Sequence, residues 1–326
     1  MPSDSTATAW LFPGQGSQSV GMGQDLAAAF PAVAALYEQA DALLGIPLSS
    51  LCFQGPEEVL TQTINAQPAL LTTSVAVLLA LGGQLDESGR LTLPDRLPCP
   101  DFVAGHSLGE YTALVAAGVL SFPDALRLVR ERGRLMGEAH SGTMAAVIGL
   151  DEETLEQVCQ TCGLDEPLVI ANYNCPGQLV LSGAVASVER AIGEVKAQGA
   201  KRAIPLKVSA AFHSPLMVDA AQGLSRAVDK VEMAAARIPV VANVSAEPIS
   251  DPSLVCDELV DQVCSPVRWT AGLSYMWSQG VRRFLELGPG KVLAGLIRRT
   301  LPEADFSSIG TLAQVQEVLD HRVRSS

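Results

Sequence analysis

The stretch Gly105-His106-Ser107-Leu108-Gly109 reads G-x-S-x-G. A strand-like run, 101–104, precedes it, and a helix-forming run, 108–116, follows it. A strand, a sharp turn and a helix form the context in which a serine hydroxyl is held out at the end of a sheet as a nucleophile. The flanking glycines leave room for the strained backbone of such a turn. The alternative is a glycine-rich loop whose serine only caps the helix.

The composition indicates a folded chain with a large core. The chain has 326 residues, of which 48% are hydrophobic and 17% charged. This is enough for one large domain with a smaller companion. Apolar segments are interrupted before ~18 residues, so we expect no membrane span. Residues 1–5 lack the basic and apolar regions of a signal peptide, and we expect a cytoplasmic protein.

Charge and cysteine content narrow the class of function. A net charge of −13 argues against binding to nucleic acid or to an anionic membrane, and an acidic protein partner would need a local basic patch. The seven cysteines are an odd number scattered along the chain, which favours free thiols. Cys159 and Cys162 form a C-x-x-C without a second pair at zinc spacing, so a structural role is favoured over redox or metal chemistry.

The order of predicted elements indicates an α/β fold. Strands alternate with helices, which predicts a large α/β-hydrolase-like domain with a mostly parallel sheet. Its predicted strands are 9–12, 101–104, 239–243 and 283–287. Its predicted helices are 23–45, 67–82, 108–116 and 123–140, with two more between 216 and 239. Residues 83–100 are polar and hold three prolines, so we expect a surface loop.

A smaller unit interrupts this pattern. Residues 143–207 are predicted to run strand, helix, strand, strand, helix, strand, which is the ferredoxin-like order. The predicted elements are strand 144–150, helix 152–162, strands 168–171 and 178–182, helix 184–198 and strand 202–206. We therefore expect a large catalytic domain of residues 1–142 and 208–326, with a small ferredoxin-like domain of residues 143–207 inserted into it.

A serine nucleophile needs a general base, and the chain has four histidines. His106 abuts Ser107 but points the other way along the tight turn. His140 ends a helix, and His321 lies in the C-terminal tail. His213 follows a loop of small residues just after the small domain, and it is the favoured base. The alternative is a loop histidine that packs locally.

A tetrahedral intermediate also needs two hydrogen-bond donors for its oxyanion. The backbone N–H of Leu108 supplies one by the geometry of the turn. The loop Gly14-Gln15-Gly16 is the best candidate for the second, because glycines let a backbone N–H approach a substrate closely.

The helix that begins near Pro123 carries four arginines in two different settings. At about 100° per residue, Arg127, Arg130 and Arg134 share one face, and we expect them to be solvated. Arg132 falls in the middle of the apolar stripe. A buried guanidinium is costly unless it is paired with a negative charge. Either an internal carboxylate supplies that charge, or the anion arrives with the substrate.

Together these motifs resemble those of the malonyl-CoA:acyl carrier protein transacylase family and of the related acyltransferase domains of polyketide synthases. The resemblance covers about residues 8 to 315. Its motifs stand in the family's order: Phe12-Pro-Gly-Gln-Gly-Ser-Gln18, Gln67-Pro-Ala-Leu-Leu71, Gly105-His-Ser-Leu-Gly-Glu110, Arg132-Gly133, Asn174-Cys-Pro-Gly-Gln178, Ala211-Phe-His-Ser214, Pro266-Val-Arg-Trp269 and Glu286-Leu-Gly-Pro-Gly-Lys291.

The resemblance implies a role for each matching residue. Ser107 would carry the acyl ester with His213 as its base, and the backbone N–H groups of Gln15 and Leu108 would hold the oxyanion. Arg132 would grip the malonyl carboxylate, which favours the substrate as the source of its counter-charge. Three further residues are implied in the site: Gln67 lining the acyl pocket, Asn174 on a small-domain loop that faces the site, and Gln262, whose backbone carbonyl would orient the histidine in place of a carboxylate.

The resemblance also bears on the choice of acyl group. The run Ala-Phe-His-Ser at 211–214 resembles the malonyl-selective pattern, whereas methylmalonyl-selective relatives resemble Tyr-Ala-Ser-His at 210–213. Phe212 would occupy the space that an α-methyl group needs, and one methyl contact discriminates by only about 1–3 kcal/mol. Ala210 stands where malonyl-selective polyketide relatives usually have histidine, which weakens this inference.

The implied activity is malonyl transfer from malonyl-CoA to the phosphopantetheine thiol of an acyl carrier protein. It would follow a ping-pong route in a monomer without metal or redox cofactor. Two other classes are weighed against it: an acyl hydrolase or esterase with the same turn, and a non-enzymatic carrier-protein scaffold. The carrier could belong to fatty-acid or to polyketide synthesis. Candidates for a basic docking surface are Lys201, Arg202, Arg282, Arg283, Arg298 and Arg299.

Overall fold

Strands alternate with helices through most of the computed structural model, which describes residues 6–139, 141–208 and 210–323. Its strands are β1 (Thr8–Phe12), β2 (Gln84–Leu85), β3 (Leu91–Thr92), β4 (Phe102–Gly105), β5 (Thr143–Ile148), β6 (Leu168–Cys175), β7 (Gln178–Gly183), β8 (Arg202–Pro205), β9 (Val240–Val241), β10 (Pro248–Ile249), β11 (Arg283–Leu287) and β12 (Asp305–Ile309). Its helices are α1 (Gln24–Ala29), α2 (Pro31–Leu44), α3 (Leu48–Gln54), α4 (Glu57–Leu60), α5 (Thr63–Ala80), α6 (Gly109–Ala116), α7 (Phe122–Glu138), α8 (Glu152–Cys162), α9 (Val185–Ala197), α10 (Val218–Val228), α11 (Pro252–Asp261), α12 (Trp269–Ser278), α13 (Val292–Thr300) and α14 (Leu312–Val323).

The larger sheet is mainly parallel, as expected. Its strand order is β10-β9-β4-β1-β11-β12, and of these pairs β9 and β10 alone are antiparallel. All five residues of β1 are buried, because helices cover both faces of a central parallel strand. In the pairing of β1 with β4, Phe12 lies opposite Gly105. The loop after β1 and the turn after β4 therefore leave the same edge of the sheet side by side.

The smaller sheet is antiparallel and lies within residues 143–205. Its strand order is β6-β7-β5-β8, with helices α8 and α9 and a separate apolar core. The strand, helix, strand, strand, helix, strand order expected for this segment is confirmed. β6 is also tied to the segment before α12, because the Tyr173 N–H donates to the Val267 carbonyl at 2.9 Å and the Val267 N–H donates to the Ala171 carbonyl at 2.8 Å. These two hydrogen bonds attach the smaller sheet to the segment that precedes α12.

Two predictions about helices were wrong. The helix expected over 23–45 is divided into α1 and α2 at Phe30, because Pro31 cannot continue a helical hydrogen-bond ladder and instead begins α2. One α-helix, α10, lies between 216 and 239, where two were expected. The chain after α10 is not helical, and there the Ala234 N–H donates to the Val119 carbonyl at 3.0 Å. A tertiary hydrogen bond replaces a local one at this point.

Two further parts of the larger sheet's surroundings were not predicted. The strand at 283–287, β11, pairs in the sheet with β12, an edge strand that was not predicted. Most residues of β12 are exposed or half-buried, so its sequence lacks a strong apolar signal. Residues 83–100 contain the β2–β3 hairpin as well as loop. Arg90 of this hairpin donates to the Gly118 carbonyl at 2.8 Å, and the Phe122 N–H donates to the Gly89 carbonyl at 2.8 Å. The hairpin is therefore fastened to the turn between α6 and α7.

α5 is a buried helix that packs on α7. By length and by a mean hydropathy of 1.3 it could cross a membrane, but 89% of it is buried inside the protein. Pro68 lies within α5 and leaves the Ile64 carbonyl without its usual helical donor. The Arg130 guanidinium donates to that carbonyl at 2.8 Å. Arg130 is half-buried, so it remains partly solvated as expected, and its inner donors also complete the hydrogen bonding of α5.

Candidate active site

Ser107 stands at the sharp turn between β4 and α6. Its φ is +50°, a left-handed value that few residues other than glycine adopt. A Cβ on Gly105 would lie 1.9 Å from the carbonyl carbon of Gly109, and a Cβ on Gly109 would lie 2.1 Å from the Phe12 carbonyl oxygen. Only glycine fits at either position. The turn is fastened by Asn243, whose Oδ1 accepts the Ser107 N–H at 2.7 Å and whose Nδ2 donates to the Gly105 carbonyl at 2.7 Å.

His213 contacts the Ser107 hydroxyl, where the sequence predicted the base. Its Nε2 lies 2.8 Å from Ser107 Oγ, and its Nδ1 lies 2.7 Å from the Gln262 backbone carbonyl oxygen. Because a carbonyl can only accept, Nδ1 carries the proton and Nε2 is free to accept the hydroxyl proton. Burial, with the nearby Arg132 guanidinium, lowers the pKa of His213 to about 3. The imidazole is therefore neutral near pH 7 and can act as a base.

The other histidines do not face the nucleophile in the described part of the chain. His106 Nε2 lies 2.8 Å from Asn174 Oδ1, and its ring packs beside that of Trp269 at a centroid distance of 5.4 Å. Burial lowers the pKa of His106. His140 lies outside the described residues, and the side chain of His321 is not described.

Asn174 differs from its expected setting. It lies within β6 and not in a loop, and it contacts His106 at the nucleophile turn. β6 extends to Cys175, beyond the predicted strand end at 171, because its backbone also pairs with the segment at Val267. Asn174 therefore joins the smaller sheet to the turn that carries Ser107.

The loop after β1 packs directly on the nucleophile turn. A Cβ on Gly14 would lie 2.3 Å from the His106 carbonyl oxygen, so glycine is required there. Among the described residues we find no protein acceptor for the backbone N–H groups of Gln15 and Leu108. The Gln15 side chain accepts the Thr63 hydroxyl proton at 3.0 Å, which fixes this loop to the start of α5. The loop that carries Gln15 therefore lies against the nucleophile turn, and Leu108 is the residue after Ser107.

Arg132 is 1% exposed and reaches the nucleophile. Its Nη1 donates to Gln67 Oε1 at 2.8 Å, and its Nη2 donates to Gln262 Oε1 at 2.8 Å and to Ser107 Oγ at 3.1 Å. Its Nε is buried without a hydrogen-bond partner. Burial lowers the pKa of Arg132, but a guanidinium keeps its proton in proteins. A fixed cation with an unused donor therefore stands next to the reactive hydroxyl.

No internal carboxylate neutralises Arg132 directly. Of the ion pairs between described side chains, none includes this guanidinium. Its hydrogen-bond acceptors are two neutral side-chain amides and a hydroxyl. The placement favours an anion that arrives with the substrate over an internal ion pair. On the same helix Arg134 pairs with Glu131 and Glu138 at 2.6 Å each, as a solvated arginine does.

A buried polar network behind Ser107 was missed by the sequence analysis. The Gln262 side-chain Nε2 donates to the Glu110 carboxylate and to the Ser107 carbonyl, the latter at 3.1 Å. Glu110 is fully buried, and burial with the neighbouring Glu258 carboxyl raises the pKa of Glu110 well above its usual range. The available signal was a single acidic residue in the otherwise uncharged helix 109–116.

Gln67 contacts the arginine beside Ser107, and Phe212 directly precedes His213. Gln67 is fully buried, and its Nε2 donates to the Thr63 hydroxyl at 2.9 Å while its Oε1 holds Arg132. Phe212 is 8% exposed and lines a cavity of about 400 Å³ together with Gln15 and Thr63. The cavity thus borders both the histidine segment and the candidate oxyanion loop.

The basic docking candidates lie on different parts of the protein. Arg283 forms an ion pair with Asp305 at 2.9 Å and lies at the start of β11, where it is level with Thr8. It is therefore at the amino ends of the parallel strands, and Ser107 is at their carboxyl ends. About 15 Å of strand separates these ends. In the smaller sheet Cys175 pairs with Gln178, Gln178 with Ile148, and Ile148 with Arg202. Cys175 directly follows Asn174, so this end of the smaller sheet is next to Asn174. Three exposed cationic residues lie around it: Lys201, Arg202 and Arg299. Arg299 donates to Gln178 Oε1 at 2.6 Å.

The other two candidates have aromatic partners. Arg282 lies over the Trp277 ring at 4.0 Å, and Arg298 lies over the Phe306 ring at 5.2 Å. Cys159 and Cys162 are free thiols on α8.

A serine hydroxyl in hydrogen-bond contact with a histidine, at the end of a mainly parallel sheet and beside a buried cation, is the arrangement of a serine acyltransferase or acyl hydrolase. A model of the acyl transferase domain matches residues 9–322. The chain is 49% identical over 295 residues to the malonyl CoA-acyl carrier protein transacylase of Bacillus subtilis (strain 168), covering 89% of each chain. The chain belongs to the malonyl CoA-acyl carrier protein transacylase family.

Solved structures agree with this assignment. An acyl-carrier-protein-S-malonyltransferase from Bartonella henselae superposes with a TM-score of 0.90 at 42% identity, covering 98% of this chain and all of that one. A malonyl-transacylase solved in complex with a type II polyketide synthase acyl-carrier protein superposes with a TM-score of 0.89 at 40% identity, covering 97% of this chain and 99% of that one.

Proposed function

We propose that this acyltransferase moves a malonyl group from malonyl-CoA to the phosphopantetheine thiol of an acyl carrier protein through an ester on Ser107. One observation carries the proposal: the buried Arg132 guanidinium forms no ion pair with a carboxylate of the described residues and lies 3.1 Å from Ser107 Oγ. A malonyl carboxylate would supply the missing negative charge. The names of the relatives support the same acyl donor and acceptor.

The first half-reaction forms the ester. His213 Nε2 takes the Ser107 hydroxyl proton as Oγ attacks the thioester carbonyl carbon of malonyl-CoA. The backbone N–H groups of Gln15 and Leu108 stabilise the oxyanion of the tetrahedral intermediate. The carbon–sulfur bond then breaks, and the coenzyme A thiolate leaves with the proton from His213. Charge on the imidazolium is stabilised by the Gln262 carbonyl, which accepts from Nδ1 at 2.7 Å.

The second half-reaction repeats these steps with the carrier protein. His213 takes the proton of the phosphopantetheine thiol, and the sulfur attacks the ester carbonyl carbon. The bond to Ser107 Oγ breaks, and the hydroxyl regains the proton from His213. Arg132 holds the malonyl carboxylate throughout, which keeps the ester carbonyl in reach of the two donors. Each step uses side chains and backbone groups of the chain itself, so the route needs no metal or redox cofactor.

Phe212 carries the proposed preference for malonyl over methylmalonyl groups. It is next to the base and nearly buried, so an α-methyl group would have to displace its ring. The discrimination is about 1–3 kcal/mol, which permits some transfer of the larger group.

We also propose a domain division that fits this site. The α/β-hydrolase-like catalytic domain comprises residues 1–142 and 208–326, and residues 143–207 form the ferredoxin-like domain. The separate apolar core and the strand order β6-β7-β5-β8 support this division. The protein is proposed to act as a monomer in the cytoplasm, where its seven free cysteines would stay reduced.

The carrier protein is proposed to dock on a basic surface made of Lys201, Arg202 and Arg299. These residues surround the turn after Asn174, which contacts the nucleophile turn through His106. A chain with a net charge of −13 would otherwise repel an acidic carrier. Arg282 and Arg283 lie at the far edge of the larger sheet and are not part of this surface.

The test is the fate of the malonyl group in the presence of both acceptors. Purified enzyme is incubated with malonyl-CoA and holo-carrier protein, and malonyl-carrier protein and free malonate are quantified together. The proposal predicts that transfer greatly exceeds hydrolysis. A dominant release of malonate would identify an acyl hydrolase with the same turn. Full transfer by the Ser107→Ala variant would contradict the ester route.

A further inference from the structure

We infer that Glu110 is a positioning residue that fixes the side-chain amide of Gln262 and, through it, the orientation of Arg132 beside the nucleophile. The inference rests on the proposed function, because its effect is read out through acyl transfer. Glu110 touches neither Ser107 Oγ nor the guanidinium, so it acts through its neighbours.

The Gln262 amide has one orientation that satisfies its surroundings. Its Oε1 accepts from Arg132 Nη2 at 2.8 Å, and its Nε2 donates to the Ser107 carbonyl at 3.1 Å and to the Glu110 carboxylate. A flipped amide would place its NH₂ group against the guanidinium and its oxygen against two acceptors. The Ser107 carbonyl and the Glu110 carboxyl both favour the orientation in which Arg132 is held, and Glu110 is the acceptor that a side-chain substitution can remove.

Glu110 does this by accepting at both oxygens. Its raised pKa indicates that it keeps its proton, and a protonated carboxyl can still accept at both oxygens because the hydroxyl oxygen retains lone pairs. One oxygen receives the Gln262 amide, and the other accepts the Asn243 N–H at 3.2 Å. Asn243 in turn holds the Ser107 N–H at 2.7 Å and the Gly105 carbonyl at 2.7 Å. A glutamine at position 110 has one oxygen and one NH₂ group, so it would leave either the Gln262 amide or the Asn243 N–H facing a second donor.

Glu258 provides a matched comparison. It belongs to the same buried carboxyl pair, and its side chain accepts the Val244 N–H at 2.8 Å. None of the hydrogen bonds described for the Glu258 carboxyl goes to the Gln262 side-chain amide. A glutamine at 258 could accept that N–H with its oxygen and donate to Glu110 with its NH₂ group. Glu258→Gln therefore removes a buried acid from the pair while both Glu110 oxygens remain acceptors.

The experiment is a double-mutant cycle on the full chain. Transfer of malonyl and acetyl groups from their coenzyme A thioesters to holo-carrier protein is measured for wild type, Glu110→Gln, Gln262→Ala, the double variant and Glu258→Gln. Gln262→Ala keeps the backbone carbonyl that orients His213. Thermal melting establishes the folded fraction of each variant.

We expect Glu110→Gln to lower kcat/KM for malonyl-CoA at least about tenfold and to lower the malonyl-to-acetyl ratio. In the Gln262→Ala background the same substitution should cost less than about twofold. Glu258→Gln should stay within about threefold of wild type. If Glu110→Gln fails to fold, Glu110→Asp, which is too short to reach both partners, replaces it in the cycle with the same expectation.

Three results would overturn the inference: wild-type rates in the Glu110 variant, equal costs in both backgrounds, or equal losses for the two acyl groups. A wild-type enzyme that transfers no malonyl group would contradict the proposed function instead, so the two failures are distinguishable.

Discussion

Replacing Arg132 by alanine tests the link between the buried cation and the malonyl carboxylate. The guanidinium is 1% exposed and contacts Ser107 Oγ at 3.1 Å. Removing one partner of a buried charge pair costs about 3–5 kcal/mol. An acetyl group has no carboxylate, so its transfer loses only the hydrogen bond from the guanidinium to Oγ, and a hydrogen bond to a charged group is worth about 1.5–3 kcal/mol. The middles of the two ranges differ by about 2 kcal/mol, which corresponds to a fall in the malonyl-to-acetyl ratio of roughly 30-fold.

The assay compares kcat/KM for malonyl-CoA and acetyl-CoA with the same holo-carrier protein. Arg134→Ala is the matched control, because it lies two residues further along the same helix and pairs with Glu131 and Glu138 at the surface. The control should leave both rates within about twofold of wild type. Equal losses for the two acyl groups in Arg132→Ala would refute the carboxylate clamp and leave Arg132 with a role in folding alone.

Three further predictions concern the base, the acyl pocket and the docking surface. Because burial lowers the pKa of His213 to about 3, protonation of the base should not reduce kcat/KM between about pH 8 and about pH 5; a half-loss near pH 6.5 would show an unshifted histidine. Phe212→Ala should raise methylmalonyl transfer relative to malonyl transfer about tenfold or more, and an unchanged ratio would remove Phe212 from the pocket. Replacing Lys201, Arg202 and Arg299 by Glu should raise KM for the carrier protein several-fold without slowing acylation by malonyl-CoA. Arg282→Glu is the control and should leave that KM unchanged. The opposite pattern would place the carrier protein at the amino ends of the strands of the larger sheet.

The nucleophile turn and the setting of Arg132 were predictable because local rules govern both. Glycine is required at 105 and 109 because any Cβ there would make contacts of 1.9 and 2.1 Å. Both glycines are part of the G-x-S-x-G motif, so the sequence predicts them. The position of Arg132 on the apolar face follows from helical periodicity alone. Whether a carboxylate of the protein pairs with Arg132 depends on tertiary contacts, so helical periodicity alone could not decide between an internal ion pair and a substrate anion.

The polar network behind Ser107 was not predictable from its residues. Glu110 and Gln262 are 152 positions apart, and the amide orientation that joins them depends on packing between α6 and the segment after α11. The hydrogen bond from Arg130 to α5 was not predictable for a similar reason, because its acceptor is the Ile64 carbonyl that Pro68 leaves unpaired on another helix. Pro31 does indicate a break between α1 and α2, but the helical pattern continues on both sides of it, so one continuous helix was predicted.

The ester on Ser107 is the central claim, and intact-mass measurement tests it most directly. The enzyme is incubated with malonyl-CoA in the absence of carrier protein, beside the Ser107→Ala variant as control. We predict one malonyl adduct on the wild-type chain, located at Ser107 by peptide mapping and lost when holo-carrier protein is added, and none on the variant. Absence of an adduct under conditions where transfer to the carrier proceeds would contradict the account.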